Sequence, residues 1–165
     1  MPASPNSPPA SGAAIGRARR PSEDVGLKAQ ISQSARVLID FLTENRATDT
    51  FEFPFSHSYP RNCCESVSMI FSYLLEEKYG LPDVTIIRGT KPRLHEHHFW
   101  VRAAGSLYDL TAHQFPGRRP ILGVERHAER HALFGSFPEH RAIHEHGFVD
   151  REEVLALHRA GVIPF

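Results

Sequence analysis

Cys63 and Cys64 are the two cysteines of the chain, and they are adjacent. A disulfide between sequence neighbours is strained and closes no useful loop, so both are expected as free thiols, the form suited to a reducing compartment. A thiol reacts as its thiolate, and a helix N-terminus favours that anion through unpaired backbone N–H groups and the helix dipole. Asn62 and Glu65 form an N-x-x-E capping pattern, which predicts a helix carrying both cysteines in its first turn. Its apolar stripe runs through Cys63, Val67, Ile70, Phe71, Leu74 and Leu75. Cys63 lies near the centre of that stripe, and Cys64 is turned about 100° away to its margin. Cys63 is therefore expected in the core and Cys64 at a cleft. The alternative is that both are small buried hydrophobes, the commoner fate of free cysteine.

A nucleophilic cysteine requires a base within hydrogen-bond reach and a third group that holds the base in the useful tautomer. The runs His97 to Ala103 and Ser106 to Thr111 read as strands, with Ala104-Gly105 as a tight turn between them. Closing the hairpin there sets Trp100 opposite Asp109 and His98 opposite Thr111, so His98 and Asp109 become diagonal neighbours on one face. His97 then points away, and a one-residue slip would exchange the two histidines. The opposite face, with Phe99, Val101, Tyr108 and Leu110, is expected to pack. The chemistry implied is attack on an amide or other acyl bond, with Cys64 as nucleophile, His98 as base and Asp109 as orienter. A peptide, protein or small amide would be the substrate, and no cofactor or metal is called for.

The scaffold around these residues is partly legible. Leu27, Ile31, Ala35, Leu38 and Leu42 recur at steps of three and four, one face of an amphipathic helix. Gly80 and Pro82 end the cysteine helix, and Val84 to Arg88 reads as a further strand. Asp150 with Glu153 starts a last helix that Gly161 closes, whereas residues 116 to 149 show no clean period. Residues 1–25, rich in Pro, Ser, Ala and Gly with a basic run Arg17 to Arg20, are expected to form a disordered leader, a secretion or localisation tail being the alternative. Residues 26–165 are expected as one α+β domain. In 165 residues the 19 basic and 19 acidic side chains cancel, which disfavours nucleic acid and anionic membrane as partners. No apolar run approaches the roughly 20 residues of a membrane span, and no signal peptide is evident. The expected location is cytoplasmic, with bacterial effector export left open.

The stretches YPRNCCESVSMIFSYLLEEKYG and HHFWVRAAGSLYDLTAHQF resemble bacterial members of the transglutaminase-like, papain-like fold group. The pattern of that group is roughly P-x-G-x-C-x-x-A-S, then H-x-W-[LV], then D-[IL]-T-A-x-Q-F. Cys64, His98 and Asp109 match its catalytic Cys, His and Asp, and Ser68, Trp100, Thr111, Gln114 and Phe115 match the flanks. The resemblance covers about residues 54 to 116. Asn62, Val67 and His113 depart from it, standing where Gly, Ala and an acidic residue are common. It implies a papain-like core, a helix bearing the cysteine packed on an antiparallel sheet, and thioester chemistry of the peptidase, deamidase or transglutaminase type. The Cys64 backbone N–H and one unidentified group would serve as oxyanion donors.

Two rival readings follow from the same residues. Eleven histidines, among them His95, His97, His98, His127, His131, His140, His144 and His146, invite a metal site, but no Cys pair has ligand spacing and no Glu is placed as in a zinc protease. A papain-like binding module without turnover would keep the fold and has no need of all three triad residues together.

Overall fold

The computed structural model describes residues 21–46, 56–91, 96–125, 139–141 and 149–165. Helix α1 (Pro21–Asn45) starts ahead of its legible apolar face, with Pro21 in the first turn, where its missing N–H costs no hydrogen bond. It thereby takes in residues 21–25, which composition assigns to the leader. Residues 1–20 lie outside the described residues. The periodic positions Ile31, Ala35, Leu38 and Leu42 are all buried, as the spacing predicts.

Helix α2 (Cys64–Tyr79) carries more burial than a one-sided stripe implies: Ser66 to Leu75 are buried without a break. The helix is enclosed by α1, by the sheet and by α3 (Arg151–Arg159). Within it, buried Ser72 satisfies its hydroxyl by donating to the Met69 carbonyl at 2.8 Å. Tyr79 Oη meets Ser34 Oγ of α1 at 2.8 Å, and Arg159 of α3 reaches Glu77 at 2.6 Å. Gly80 ends α2 with φ +58 and donates its N–H to the Glu76 carbonyl. Asp150 caps α3 by accepting from the Glu152 and Glu153 N–H groups.

Five strands, β1 (Thr85–Lys91), β2 (Glu96–Ala103), β3 (Ser106–Asp109), β4 (Ile121–Glu125) and β5 (Glu139–Arg141), form one antiparallel sheet in the order β4-β3-β2-β1-β5. The architecture is α+β, with the cysteine helix packed on the sheet. Ala104 and Gly105 both take positive φ, +47 and +71, which matches the twist of a two-residue hairpin. The resulting register pairs Val101 with Tyr108 and Ala103 with Ser106. Val101, Tyr108 and Leu110 enter the core beneath α2, with Phe99 partly buried against it. The other face is not left to chemistry alone, which corrects the one-sided expectation: Ile87, Trp100 and Leu107 form a second small core there, closed by Phe115 and Ile121. Strands β4 and β5 arise in the segment without a legible period, and residues 126–138 and 142–148 lie outside the described residues. No described helix is long and apolar enough to cross a membrane.

Gly123 shows how tightly α1 seats on the sheet edge. It lies at φ +71, and a Cβ there would stand 2.9 Å from Ser32 Oγ and 3.2 Å from Lys28 Cε. Gly123→Ala is expected to lower stability by about 1–3 kcal/mol through strain and contact together. Gly26→Ala, on α1 with open space around it, should instead leave stability unchanged or raise it by up to about 1 kcal/mol. Urea midpoints of the two variants check the contrast.

Candidate active site

The approach to α2 is set by the backbone of Asn62 and Cys63. Asn62 adopts φ +56, a left-handed conformation that Asn and Gly tolerate best. The expected Asn62 cap is corrected by this geometry, because the N-cap residue is Cys63, and it offers no side-chain cap. Cys63 accepts the Val67 N–H at 2.9 Å through its carbonyl. Its thiol is buried in the core, and burial, followed by the neighbouring Cys64 charge, pushes it up to about 12. Cys64 is thus the first residue of the helix and is half-buried.

The peptide N–H groups of Phe99, Glu65 and Cys64 itself are directed at the Cys64 sulfur. The β2–β3 ladder has ended by this level, so the backbone of β2 at Phe99 is open to the start of α2. The sulfur consequently lies at the peptide that joins His98 to Phe99. Its acidity runs against the expectation from helix position: burial raises the thiol above its ordinary value, the Asp109 charge adds to the rise, and the three N–H groups only partly offset both. Desolvation of the anion outweighs the dipole here.

His98 and Asp109 are both fully buried and meet through Nε2 and Oδ2 at 2.6 Å. The hairpin register places them as diagonal neighbours, as the turn position predicts. His97 lies exposed on the other side of the strand, with Nδ1 3.0 Å from Thr90 Oγ1, so of the two histidines it is His98 that joins Asp109. The second carboxylate oxygen, Oδ1, accepts from the Thr111 N–H at 3.0 Å and from Thr111 Oγ1 at 3.2 Å. Those bonds turn the chain out of β3 into a 3₁₀ turn, Ala112–Gln114, which brings the Gln114 amide back to His98. Gln114 Nε2 stands 3.2 Å from His98 Nδ1. An ionised carboxylate only accepts, and an amide NH₂ only donates, so the neutral ring carries its proton on Nε2 and its lone pair on Nδ1. Phe115 meets the imidazole edge-on at 5.0 Å between ring centroids.

Tyr59 is a positioning residue that no spacing in the sequence marks. Its hydroxyl donates to the Leu110 carbonyl at 2.8 Å, which ties the loop before Cys64 to the residue after Asp109. Burial, with the Cys63 and Asp109 charges behind it, raises the Tyr59 hydroxyl and keeps it protonated as a donor. Among the described residues, no three His, Cys, Asp or Glu are placed to hold a metal ion. His95, His127, His131, His144 and His146 lie outside those residues. No family model, curated protein or solved structure matches the chain.

His113 rests against Tyr59 with ring centroids 5.4 Å apart, and its buried Nδ1 meets no hydrogen-bond partner among the described residues. Burial lowers its pKa from 6.5, opposed by the Asp109 charge. The unfolded chain therefore binds this proton before the folded one does, and stability is lost as pH falls from 6.5 toward the lower folded value. Between pH 7 and 5, the thermal midpoint of the wild type should fall further than that of His113→Phe; parallel melting curves would show it.

Proposed function

We propose that the protein is a thiol hydrolase or acyltransferase acting on an amide bond, in a peptide or a glutamine side chain, through Cys64, His98 and Asp109. The observation that carries this reading is a buried imidazole held at Nε2 by a carboxylate, with a helix-start sulfur at the adjoining peptide. Nothing in core packing calls for that combination. The papain-like arrangement implied by the sequence resemblance belongs to the same proposal.

The steps follow from which atoms can give and take protons. The Cys64 proton passes to His98 Nδ1, and the sulfur attacks the substrate carbonyl carbon. Asp109 balances the imidazolium that forms, and the Cys64 N–H donates to the developing oxyanion. Collapse breaks the C–N bond, the leaving amine or ammonia takes the Nδ1 proton, and a thioester remains. Water, or a second amine, then gives its proton to Nδ1 and attacks the thioester. The acid or new amide is released, and the proton returns to Cys64. Of the possible outcomes, hydrolysis is favoured here. The adjacent free thiols suit a reducing compartment, and a cytoplasmic location is part of the proposal.

A binding module without turnover is the second reading. Two observations favour it: burial raises the Cys64 thiol, and Gln114 covers the nitrogen that a base would use.

Ammonia release and amine incorporation, measured on a library of glutamine-containing peptides alongside peptide cleavage, separate these readings. The enzyme should turn over at least one substrate class, with kcat/KM falling roughly 10²- to 10⁴-fold in His98→Ala and activity abolished in Cys64→Ala. Cys63→Ser should retain the triad and most of the activity. A binding module would capture peptides with no product and with no dependence on Cys64.

A further inference from the structure

Asp109 and Gln114, five residues apart, hold the two ring nitrogens of one histidine. The first contact serves the triad directly. The second opposes it, because the Nδ1 lone pair that accepts from the Gln114 amide is the one that must receive the Cys64 proton. A lone pair directed at one donor cannot serve a second in full. We infer that Gln114 is a positioning residue that keeps the thiol–imidazole pair neutral in the resting site and yields Nδ1 when substrate enters. The inference rests on the nucleophile–base reading above and adds to it a coupling between occupancy and activation.

Three features of the site support this role. An NH₂ group donating to Nδ1 stabilises the neutral ring relative to the imidazolium, which would have to turn the amide about and present its oxygen. Gln114 is half-buried at the end of a short 3₁₀ turn, after which Phe115 returns to extended backbone, so its side chain lies at the boundary of the site. The surroundings of Cys64 also favour the thiol over the thiolate, burial being the main cause. Among the described residues, titratable groups face this pair from several packed elements. Asp109 comes from β3, and Cys64 with Cys63 comes from the start of α2. His113 and Tyr59 face Asp109. On β1 the register partner of His98 is Gly89, which brings no charge.

The test is the iodoacetamide alkylation rate of Cys64 against pH, resolved from Cys63 by peptide mass spectrometry, in the full chain. Wild type, Gln114→Met, Gln114→Ala and His98→Ala are compared. Methionine keeps the length of the side chain and removes the amide donor. Both Gln114 variants should move the midpoint of the Cys64 profile down by about one pH unit, the size expected from one lost hydrogen bond. Labelling below the midpoint would then be roughly tenfold faster. A midpoint unchanged or raised, in variants that melt as wild type does, overturns the role of Gln114. Nitrogen-15 NMR of labelled histidine in the wild type supplies a check independent of variant folding: a hydrogen-bonded Nδ1 lone pair on His98 supports the inference, and a free one overturns it. If the downward shift seen in Gln114→Met persists when His98→Ala is added to it, the nucleophile–base reading fails and takes the inference with it. If His98→Ala alters the profile and the Gln114 variants do not, only the role of Gln114 fails.

Discussion

A histidine and an aspartate buried together at 2.6 Å are the constraint around which this half of the molecule is arranged. An isolated carboxylate in such surroundings would be strongly disfavoured, so every lone pair of Asp109 that faces the interior must find a donor. His98 supplies one, and Thr111 supplies two from its backbone and hydroxyl. The hairpin register is the one that makes His98 and Asp109 diagonal neighbours, and a slip of one residue would turn His97 toward the carboxylate in place of His98. Removing one member of such a buried pair costs about 3–5 kcal/mol in other proteins, chiefly because the remaining charge is stranded. The interaction that would orient the proposed base thus also disciplines the fold.

The thiol illustrates how two general tendencies compete and which one prevails. A helix start offers unpaired N–H groups to an anion, and three peptide N–H groups do face the Cys64 sulfur. Two of these come from the helix start and one from β2, and burial among the helix, the sheet and the loop before Cys64 still penalises a thiolate more than they favour it. Desolvation prevails, and it favours the thiol over the thiolate. In the proposed mechanism the charge-separated pair is a product of substrate binding and not a property of the resting site.

Much of this arrangement is legible in the amino-acid sequence. The three- and four-residue steps from Ile31 to Leu42, the Asp150 cap and the Ala104-Gly105 turn each express a local rule, and local rules survive tertiary packing. The turn alone suffices to set His98 against Asp109, because strand register follows from turn position. Asn62 has a side chain suited to capping, yet the chain uses its tolerance of positive φ instead, and sequence pattern does not distinguish the two properties. Tyr59 and the second core around Trp100 leave no mark in the sequence, as both depend on contacts between residues far apart along the chain. Gln114 stands out only as a matching flank, and its hold on Nδ1 follows from a turn that Asp109 itself nucleates. Strands β4 and β5 are short, lie at the sheet edges and lack alternation, so periodicity has nothing to register.

In the proposed mechanism Cys64 forms a covalent acyl intermediate with His98 as its base. The most direct measurement is to mix the protein with 4-nitrophenyl acetate, quench in acid, and map the acetylated peptide by mass spectrometry with and without hydroxylamine. The proposed mechanism requires a hydroxylamine-labile acetyl group on Cys64, formed much more slowly in His98→Ala and absent from Cys63. Labelling that is equal at both cysteines, or indifferent to His98, would contradict it.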